Sequence, residues 1–287
     1  MLKYLLKRFA ILIPTFIGIT IVCFLVIHLA PGEPTSMQAE LNPNITPEAI
    51  EQLKRHYGLD KPLPVQYLVW MKNLAKLDFG RSISSDARPV WDKIKERLPV
   101  TISINVASMV IIFLTAIPLG VISAVRRGSI LDRSITVFVF VGFSIPGFWL
   151  ALICMDYLGV RLGWLPISGL HSQGYQYMGF FERAWDLARH LALPVIISAF
   201  GALAGLSRYM RSSMLEIIRQ DYILTARAKG LPERTVIYKH AMRNALLPVI
   251  TILGLSIPGL IGGSVIFESI FSIPGLGKLF YDGIMMR

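Results

Sequence analysis

Five long runs of apolar residues constrain the fold of this chain more than any other feature. The runs are Phe9 to Ala30, Leu98 to Ala124, Ile135 to Gly159, His190 to Ser207 and Ala245 to Phe267, and their central turns hold no Lys, Arg, Asp or Glu. A helix of roughly 20 mainly apolar residues crosses the hydrocarbon core of a bilayer. Charged residues make up 16% of the chain, compared with about 25% in a typical soluble domain. The pattern predicts an all-α, multi-pass membrane protein with five transmembrane helices.

Basic residues collect in three parts of the chain and predict its orientation. They precede the first span, separate the second span from the third, and fill the connection between the fourth and fifth spans. The residues are Lys3, Lys7 and Arg8; Arg126, Arg127 and Arg133; and Arg208, Arg211, Arg219, Arg227, Lys229, Arg234, Lys239 and Arg243. Because Lys and Arg of short loops favour the cytoplasmic side, the N-terminus and these connections are predicted to be cytoplasmic.

The connection over residues 31–97 lies on the outer side in this orientation, and its sequence predicts two short helices. One begins with Thr46 as N-cap and Pro47 in its first turn, and it stops at Gly58. The second reads PVQYLVWMKNLAKLDFG and is predicted to stop at Gly80. We therefore expect residues 1–97 to form the first span, 9–30, and a small outer helical region. Residues 98–287 are expected to form the main membrane domain, with helices over 98–124, 135–159, 190–207 and 245–267 and a cytoplasmic loop over 208–244.

Helix-weakening residues recur inside the predicted spans. Candidates for a translocation pathway or a hinge are Pro146, Gly254, Pro258, Gly259 and Gly263. Broken helices are tolerated in a membrane where neighbouring helices or a watery cavity satisfy the freed backbone groups. Ordinary close packing of helices is the alternative, since Gly259 and Gly263 form a G-x-x-x-G pattern.

The chain shows no source of energy of its own. Proton- and sodium-coupled transporters place ionisable groups deep in the membrane, whereas the only candidate here is Asp156, near the outer end of its span. The sequence lacks the phosphate-binding motif G-x-x-x-x-G-K-[ST], the H-E-x-x-H zinc motif and the nucleophile motif G-x-S-x-G. We predict no catalytic residue, no metal site and no cofactor, so the chain is not an enzyme.

A basic hairpin, residues 220–248, stands out between the fourth and fifth spans. It reads QDYILTARAKGLPERTVIYKHAMRNALLP, with Gly230 at a helix-ending position and Pro232 in the first turn of a second helix. Three interpretations are a helix-turn-helix that reads DNA, a basic helix lying on anionic lipid, and a helix that docks in the groove of a cytoplasmic partner. The tight tether between two spans argues against nucleic acid, and the missing energy source favours a docking partner.

The hairpin resembles the coupling loop of ABC-transporter permeases, in the branch that imports dipeptides and oligopeptides. The general permease motif is E-A-A, three residues and Gly, followed later by I-x-L-P. Ala226 and Gly230 match it, whereas Leu224 and Thr225 replace its Glu and first Ala. The segments TARAKGL and HAMRNALLPV are typical of the peptide branch. Similar landmarks are MLKYLLKRFAILIPTF, HLAPGEP, GLDKPLPVQY, LDFGRS, RSSMLE and FSIPGLGKLF.

The resemblance implies the fold of a type I ABC importer transmembrane domain and a permease subunit that imports peptides. It also implies a pore shared with a second, homologous permease, two cytoplasmic ATPase subunits that hydrolyse ATP, and an extracytoplasmic solute-binding protein. The expected location is the cytoplasmic membrane of a bacterium or archaeon, in contact with lipid and without nucleic acid. The coupling residues it points to are Asp221, Tyr222, Thr225, Ala226, Lys229, Gly230, Leu231, Arg243 and Asn244.

Two features leave alternatives open. Family members carry a sixth span, whereas this sequence stops at Arg287, after the fifth; a truncated chain is the expectation. The cargo could also be nickel, glutathione or a glycoside, because selection rests mainly with the binding protein. A different class of function is a membrane scaffold whose basic loop holds lipid or an assembly partner without transport.

Overall fold

The computed structural model describes residues 2–29, 46–82, 84 and 86–285, and over these residues it confirms the predicted all-α architecture. The only pairing of extended backbone in this part of the chain is an isolated bridge between Arg81 and Pro89. The chain divides into two compact units, one of residues 1–95 and 282–287, the other of residues 96–281.

Helix α1, Leu2–Leu29, belongs to the first unit and is almost entirely apolar. The end predicted for it, Ala30, lies outside the described residues. Helix α2, Pro47–Tyr57, starts as predicted, because the Thr46 side chain accepts a hydrogen bond from the Ala49 N–H, and Gly58 ends it at φ 69°. Helix α3, Leu63–Ala75, stops earlier than predicted, at Ala75 instead of Gly80. Leu77 already adopts a left-handed conformation there, which a right-handed helix cannot continue through.

The second and third predicted spans differ in continuity. Helix α4, Val90–Val125, runs unbroken through Pro99 and Pro118. The third span is helix α5, Ile130–Ser144, followed by helix α6, Gly147–Cys154, and a π-helical turn over Met155–Arg161. The two parts are bent by 95°. The bend lies at Ile145–Pro146, because Pro146 restricts Ile145 to extended backbone. The helix predicted over 135–159 is therefore divided at Pro146, one of the predicted hinge residues.

The fourth predicted span, the shortest in the sequence, lies inside the longest helix. After a 3-10 turn over Tyr175–Tyr177, helix α7 covers Phe180–Ile217 and is the most buried of the candidate spans. Its outer turns contain charged residues that interrupt the apolar run, so the pattern of hydropathy hid its length. Helix α8, Asp221–Ala228, follows it and begins the hairpin.

The fifth predicted span also differs from its prediction, 245–267. One helical stretch contains four consecutive elements. They are helix α9, Glu233–Thr235; a π-helical turn over Val236–Ala241; helix α10, Met242–Ser256; and a 3-10 turn over Ile257–Ile261. The stretch ends at Gly262, whose backbone is extended. Helix α11, Val265–Ile270, and helix α12, Leu276–Met285, are separate. Within the described residues, four continuous helices are long and apolar enough to cross a membrane, or five if the bent pair is counted as one span.

Two apolar clusters stabilise the second unit. One joins the end of α4 and the end of α7 to the hairpin, around Val121, Met210, Met214, Ile223 and Val236. The other joins α4, α6 and α7 to the segment after α11, around Ile104, Ala151, Leu193, Phe271 and Ile273. The hairpin therefore belongs to the body of this unit, since its buried side continues the first cluster.

Candidate functional site

The basic hairpin is two short helical arms around a left-handed glycine. Gly230 has a φ of 77°, and no atom outside its neighbours lies within 4 Å of the position that a Cβ would take. The Gly230 N–H donates to Arg227 O at 2.9 Å and the Leu231 N–H to Ala226 O at 3.4 Å. These two bonds form a Schellman motif, which satisfies the last carbonyls of α8. The second arm starts at Glu233, with Pro232 as its N-cap residue and not, as predicted, in its first turn.

An ion pair spans the glycine turn. Arg227 Nε donates to Glu233 Oε2 at 3.1 Å, and Arg227 Nη2 donates to Glu233 Oε1 at 2.7 Å. The hydrogen bonds with the carboxylate raise the pKa of Arg227 above its ordinary value. A bidentate pair fixes direction as well as distance, so it sets the angle between the two arms. Solvent screens it, because the Glu233 side chain is 59% exposed.

The arms are also joined farther from the turn. Asn244 Nδ2 donates to the Tyr222 hydroxyl at 2.8 Å. The Ser213 hydroxyl of α7 donates to Ala245 O at 3.0 Å. Both bonds connect the second arm to structure that precedes it, so the hairpin is braced along its length.

Apolar side chains fix the underside of the hairpin to the chain itself. Ile223 and Val236 are fully buried, and Ala226 is 9% exposed. They pack in the same cluster as Met210 and Met214 near the end of α7. Ala226 matches the general permease motif, and its small side chain lies in this cluster. Its place in the motif follows from packing beneath the loop.

The upper face of the hairpin is open. Every predicted coupling residue except Ala226 is exposed: Asp221, Tyr222, Thr225, Lys229, Gly230, Leu231, Arg243 and Asn244. The structure adds two large apolar side chains that the sequence interpretation passed over, Leu224 and Tyr238, which are 52% and 50% exposed. Apolar side chains beside bases on a rigid helix pair form a surface suited to a protein groove.

The predicted pathway and hinge residues do not form one cluster. Pro146 lies at the 95° bend of the third span. Gly254 lies inside α10, and Pro258 and Gly259 lie in the 3-10 turn that follows. Gly263 lies beyond the break, where its backbone contacts Gly277. Three of the five therefore stand at breaks in candidate spans, and the close contact of Gly263 is with α12 and not with another G-x-x-x-G face.

Two carboxylates of the third span and its approach, Asp156 and Asp132, are each paired with an arginine. Asp156 itself is exposed and pairs with Arg161 at 2.8 Å. Asp132 is buried, and its carboxylate accepts from Arg211 Nε at 3.0 Å and Nη2 at 2.9 Å and from the Ser123 hydroxyl. This pair joins α4, α5 and α7 beside the hairpin. The sequence offered one signal for it: Asp132 follows Ser129 at the spacing of a helix N-terminus.

Two further buried carboxylates lie toward the opposite end of the second unit. Asp186 accepts from the Ser172 N–H at 2.9 Å and lies 3.5 Å from His190 Nδ1. Glu268 is 4% exposed and accepts from the Thr101 hydroxyl at 3.0 Å. Each carboxylate is hydrogen-bonded by its own chain, as buried charges must be.

Comparison with known proteins gives two family matches that together span nearly the whole chain. Residues 116–287 match the model described as binding-protein-dependent transport system inner membrane component, and residues 1–105 match the model for the N-terminal part of such membrane components. The chain is 45% identical over 287 residues to the oligopeptide transport system permease protein AppB of Bacillus subtilis, covering 100% of this chain and 89% of that protein.

Two dipeptide permeases are similar over the same extent. The dipeptide transport system permease protein DppB of Alkalihalophilus pseudofirmus is 38% identical over 300 residues, and the protein of that name from Escherichia coli K12 is 38% identical over 303 residues. Each alignment covers 100% of this chain and 89% of the relative.

Proposed function

The chain belongs to the family of binding-protein-dependent transport system inner membrane components, and from that premise we propose that it is the permease subunit of an ATP-driven ABC importer for dipeptides or oligopeptides. It is a multi-pass membrane protein, as its apolar helices and its family agree. The peptide cargo is supported by the names of the similar permeases. A nickel, glutathione or glycoside importer remains the second candidate within the same machinery.

The observation that supports the coupling role most strongly is the braced hairpin. Its underside is fixed by buried side chains, its turn by the Schellman motif, and its arms by the Arg227–Glu233 pair. A rigid element with an open face transmits a push, whereas a loose loop would absorb it. We propose that an ATPase subunit binds the face formed by the exposed coupling residues and that ATP binding moves this face.

The remaining partners complete the proposal. A second homologous permease supplies the other half of the pore, two ATPase subunits bind from the cytoplasm, and a solute-binding protein delivers peptide from outside. The N-terminus is cytoplasmic, since the basic connections then lie inside. The alternating states form an equilibrium that ATP and the loaded binding protein shift by binding one state better than the other. Residues 1–97 provide the first span and outer region, and residues 98–287 provide the permease domain.

A glycine substitution tests the coupling face. Gly230→Leu places a side chain at a φ of 77°, which costs about 1–2 kcal/mol for an L-residue, and it adds bulk to the proposed docking face. We expect the variant to insert in the membrane but to lose co-purification of the ATPase subunits and at least about ten-fold of peptide uptake. Gly174→Leu is the matched control, because Gly174 has a φ of 81°, equally open surroundings and a place far from the hairpin in sequence.

The alternative of a non-transporting scaffold makes the opposite prediction. Such a scaffold would purify from native membranes without a bound ATPase, and Gly230→Leu would behave like Gly174→Leu in every measurement. Either result would count against the proposed function.

A further inference from the structure

The helical stretch that leaves the hairpin is interrupted between glycines of two kinds. On the hairpin side, Gly254 and Gly259 have open surroundings, with no atom within 4 Å of the position of an added Cβ. On the far side, a Cβ at Gly263 would lie 2.1 Å from Gly277 N, and a Cβ at Gly277 would lie 2.6 Å from Ser264 C. The glycines before the break are therefore not packed against other segments of the described chain, whereas Gly263 and Gly277 are in close contact.

The segment beyond the break is locked to α4 through Glu268. The Thr101 hydroxyl of α4 donates to Glu268 Oε1 at 3.0 Å and accepts from the Leu276 N–H at 2.8 Å. Glu268 Oε2 accepts from the Lys278 N–H at 2.8 Å. Leu276 and Lys278 open α12, so the buried carboxylate also lies at the positive end of that helix. Residues 263–278 and the part of α4 around Thr101 are therefore joined by hydrogen bonds, and we call them the rigid block.

Asn105, one turn farther along α4, holds the break itself. Its side-chain Nδ2 donates to Leu260 O at 2.9 Å and to Gly262 O at 3.0 Å. Both acceptors are carbonyls that the interrupted helix leaves without an amide partner of its own. Because both partners accept, the amide nitrogen of Asn105 must face them, and its orientation is fixed. The Asn105 side chain thus supplies the hydrogen bonds for both carbonyls of the break.

The other end of the interrupted stretch lies in the hairpin. The helical stretch from Glu233 to Ile261 counts 29 residues, which corresponds to a length of roughly 40 Å at about 1.5 Å per residue. It begins in the second arm, beside the Arg227 ion pair, and ends at the carbonyls that Asn105 binds. A displacement of the hairpin therefore reaches the break along one continuous helix.

We propose that Asn105 is the positioning residue of a hinge at residues 257–262. It holds the end of the hairpin helix against the rigid block of Thr101 and Glu268. When the hairpin moves, residues 257–262 rotate while they stay bound to α4. This inference rests on the proposed function for its purpose, and on Asn105, the break and the glycines for its geometry. The carbonyls of Leu260 and Gly262 accept hydrogen bonds from Asn105. Their exposure at the break therefore has an explanation other than binding a cation or substrate.

A simple packing role for Asn105 is the competing account, and α4 offers a matched control for it. The Ser108 hydroxyl, on the same face of α4, donates to Val195 O at 3.2 Å and is buried. Its acceptor lies in the continuous helix α7. Asn105→Leu and Ser108→Ala both remove side-chain hydrogen bonds from α4 to a backbone carbonyl, but only Asn105→Leu releases a break.

The transport test uses the full complex of this chain with its permease partner, ATPase subunits and binding protein in proteoliposomes. The readout is the number of labelled dipeptides imported per ATP hydrolysed. We expect Asn105→Leu to lower this ratio about ten-fold, since two hydrogen bonds of ordinary strength are lost, and Ser108→Ala to leave it within about two-fold. Asn105→Gln, which keeps a donor, should recover part of the ratio. An equal loss in Asn105→Leu and Ser108→Ala would overturn the proposal.

Hydrogen exchange on the same samples tests the hinge independently of transport. Asn105→Leu should speed exchange about ten-fold at residues 257–262 and leave residues 263–278 unchanged, whereas Ser108→Ala should alter neither. Unchanged exchange at 257–262 in Asn105→Leu would overturn the proposal even with normal transport. A wild-type complex that imports no peptide would contradict the proposed function, and the exchange result would still decide on Asn105. Asn105→Ala gives the same comparison should the leucine variant fail to assemble.

Discussion

Single residues of the hairpin divide into those that build it and those that it presents. Ile223, Ala226 and Val236 are buried in the chain's own cluster, and Gly230 permits the turn. Asp221, Lys229 and Arg243 remain at the surface. A basic character alone therefore explains little of the hairpin: many of its bases keep the loop out of the hydrocarbon, where each would cost about 2.5–3.5 kcal/mol.

The ion pair across the turn gives a prediction at this scale. Arg227→Glu leaves two acidic side chains facing each other across the turn and Glu233→Arg leaves two basic ones, so each variant should lower ATP-driven uptake about three- to ten-fold. The exchanged pair in one chain, Arg227→Glu with Glu233→Arg, restores opposite charges and should recover most of the uptake. An exchanged pair no better than its worse single variant would show that Arg227 or Glu233 acts through the partner and not through the other.

The contacts of individual side chains were the least predictable part of the structure. Gly230 was predictable because few residues tolerate a left-handed helix end. The burial of Ala226 in the chain's own cluster was not predictable, because a small residue indicates close packing but does not show which segment packs against it. Asp132 and Glu268 were not among the predicted residues, because a carboxylate in a sequence does not show its hydrogen-bond partners. Arg211, far from Asp132 along the chain, accounts for the burial of that carboxylate.

At the scale of elements, breaks in the helices matter more than their lengths. The third span turns by 95° at Ile145–Pro146, and the fifth changes to a 3-10 turn at Ile257–Ile261 and ends at Gly262. Pro and Gly signalled both places in the sequence, but they gave neither an angle nor a boundary. The fourth span shows the reverse: its sequence signal was short, whereas the helix Phe180–Ile217 is the longest. The helix continues through polar turns at both ends of the predicted span, where packing stabilises it and hydropathy gives no signal.

The glycines around the second break give a prediction at this scale. Gly263→Ala brings a Cβ to within 2.1 Å of Gly277 N, and neither backbone can yield without moving α11 or α12. We expect this variant to lower the thermal midpoint of the purified chain in detergent and to expose residues 264–278 to protease. Gly259→Ala, four residues earlier in open surroundings, should leave both measurements near wild type. Equal behaviour of the two variants would mean that the close Gly263–Gly277 contact does not stabilise this segment.

At the scale of the whole molecule, the chain combines apolar helices long enough to cross a membrane, buried carboxylates that its own groups hydrogen-bond, and a hairpin braced by internal contacts. The all-helical fold and the number of candidate spans followed from the sequence, because apolar length is a direct requirement of the bilayer. The partners that complete a working importer were predictable only through the family. The hairpin presents exposed apolar and charged side chains on a packed base, which is why we propose it as the surface that a partner subunit binds.

ATP-driven peptide uptake is the most direct test of whether this chain is the permease subunit of a peptide importer. Proteoliposomes containing this chain, its permease partner and the ATPase subunits are loaded with ATP and given a labelled dipeptide with the binding protein. We expect accumulation that requires ATP, the binding protein and this chain, and that is lost with Gly230→Leu but kept with Gly174→Leu. Accumulation that persists without this chain, or that is unaffected by Gly230→Leu, would contradict the proposed permease role.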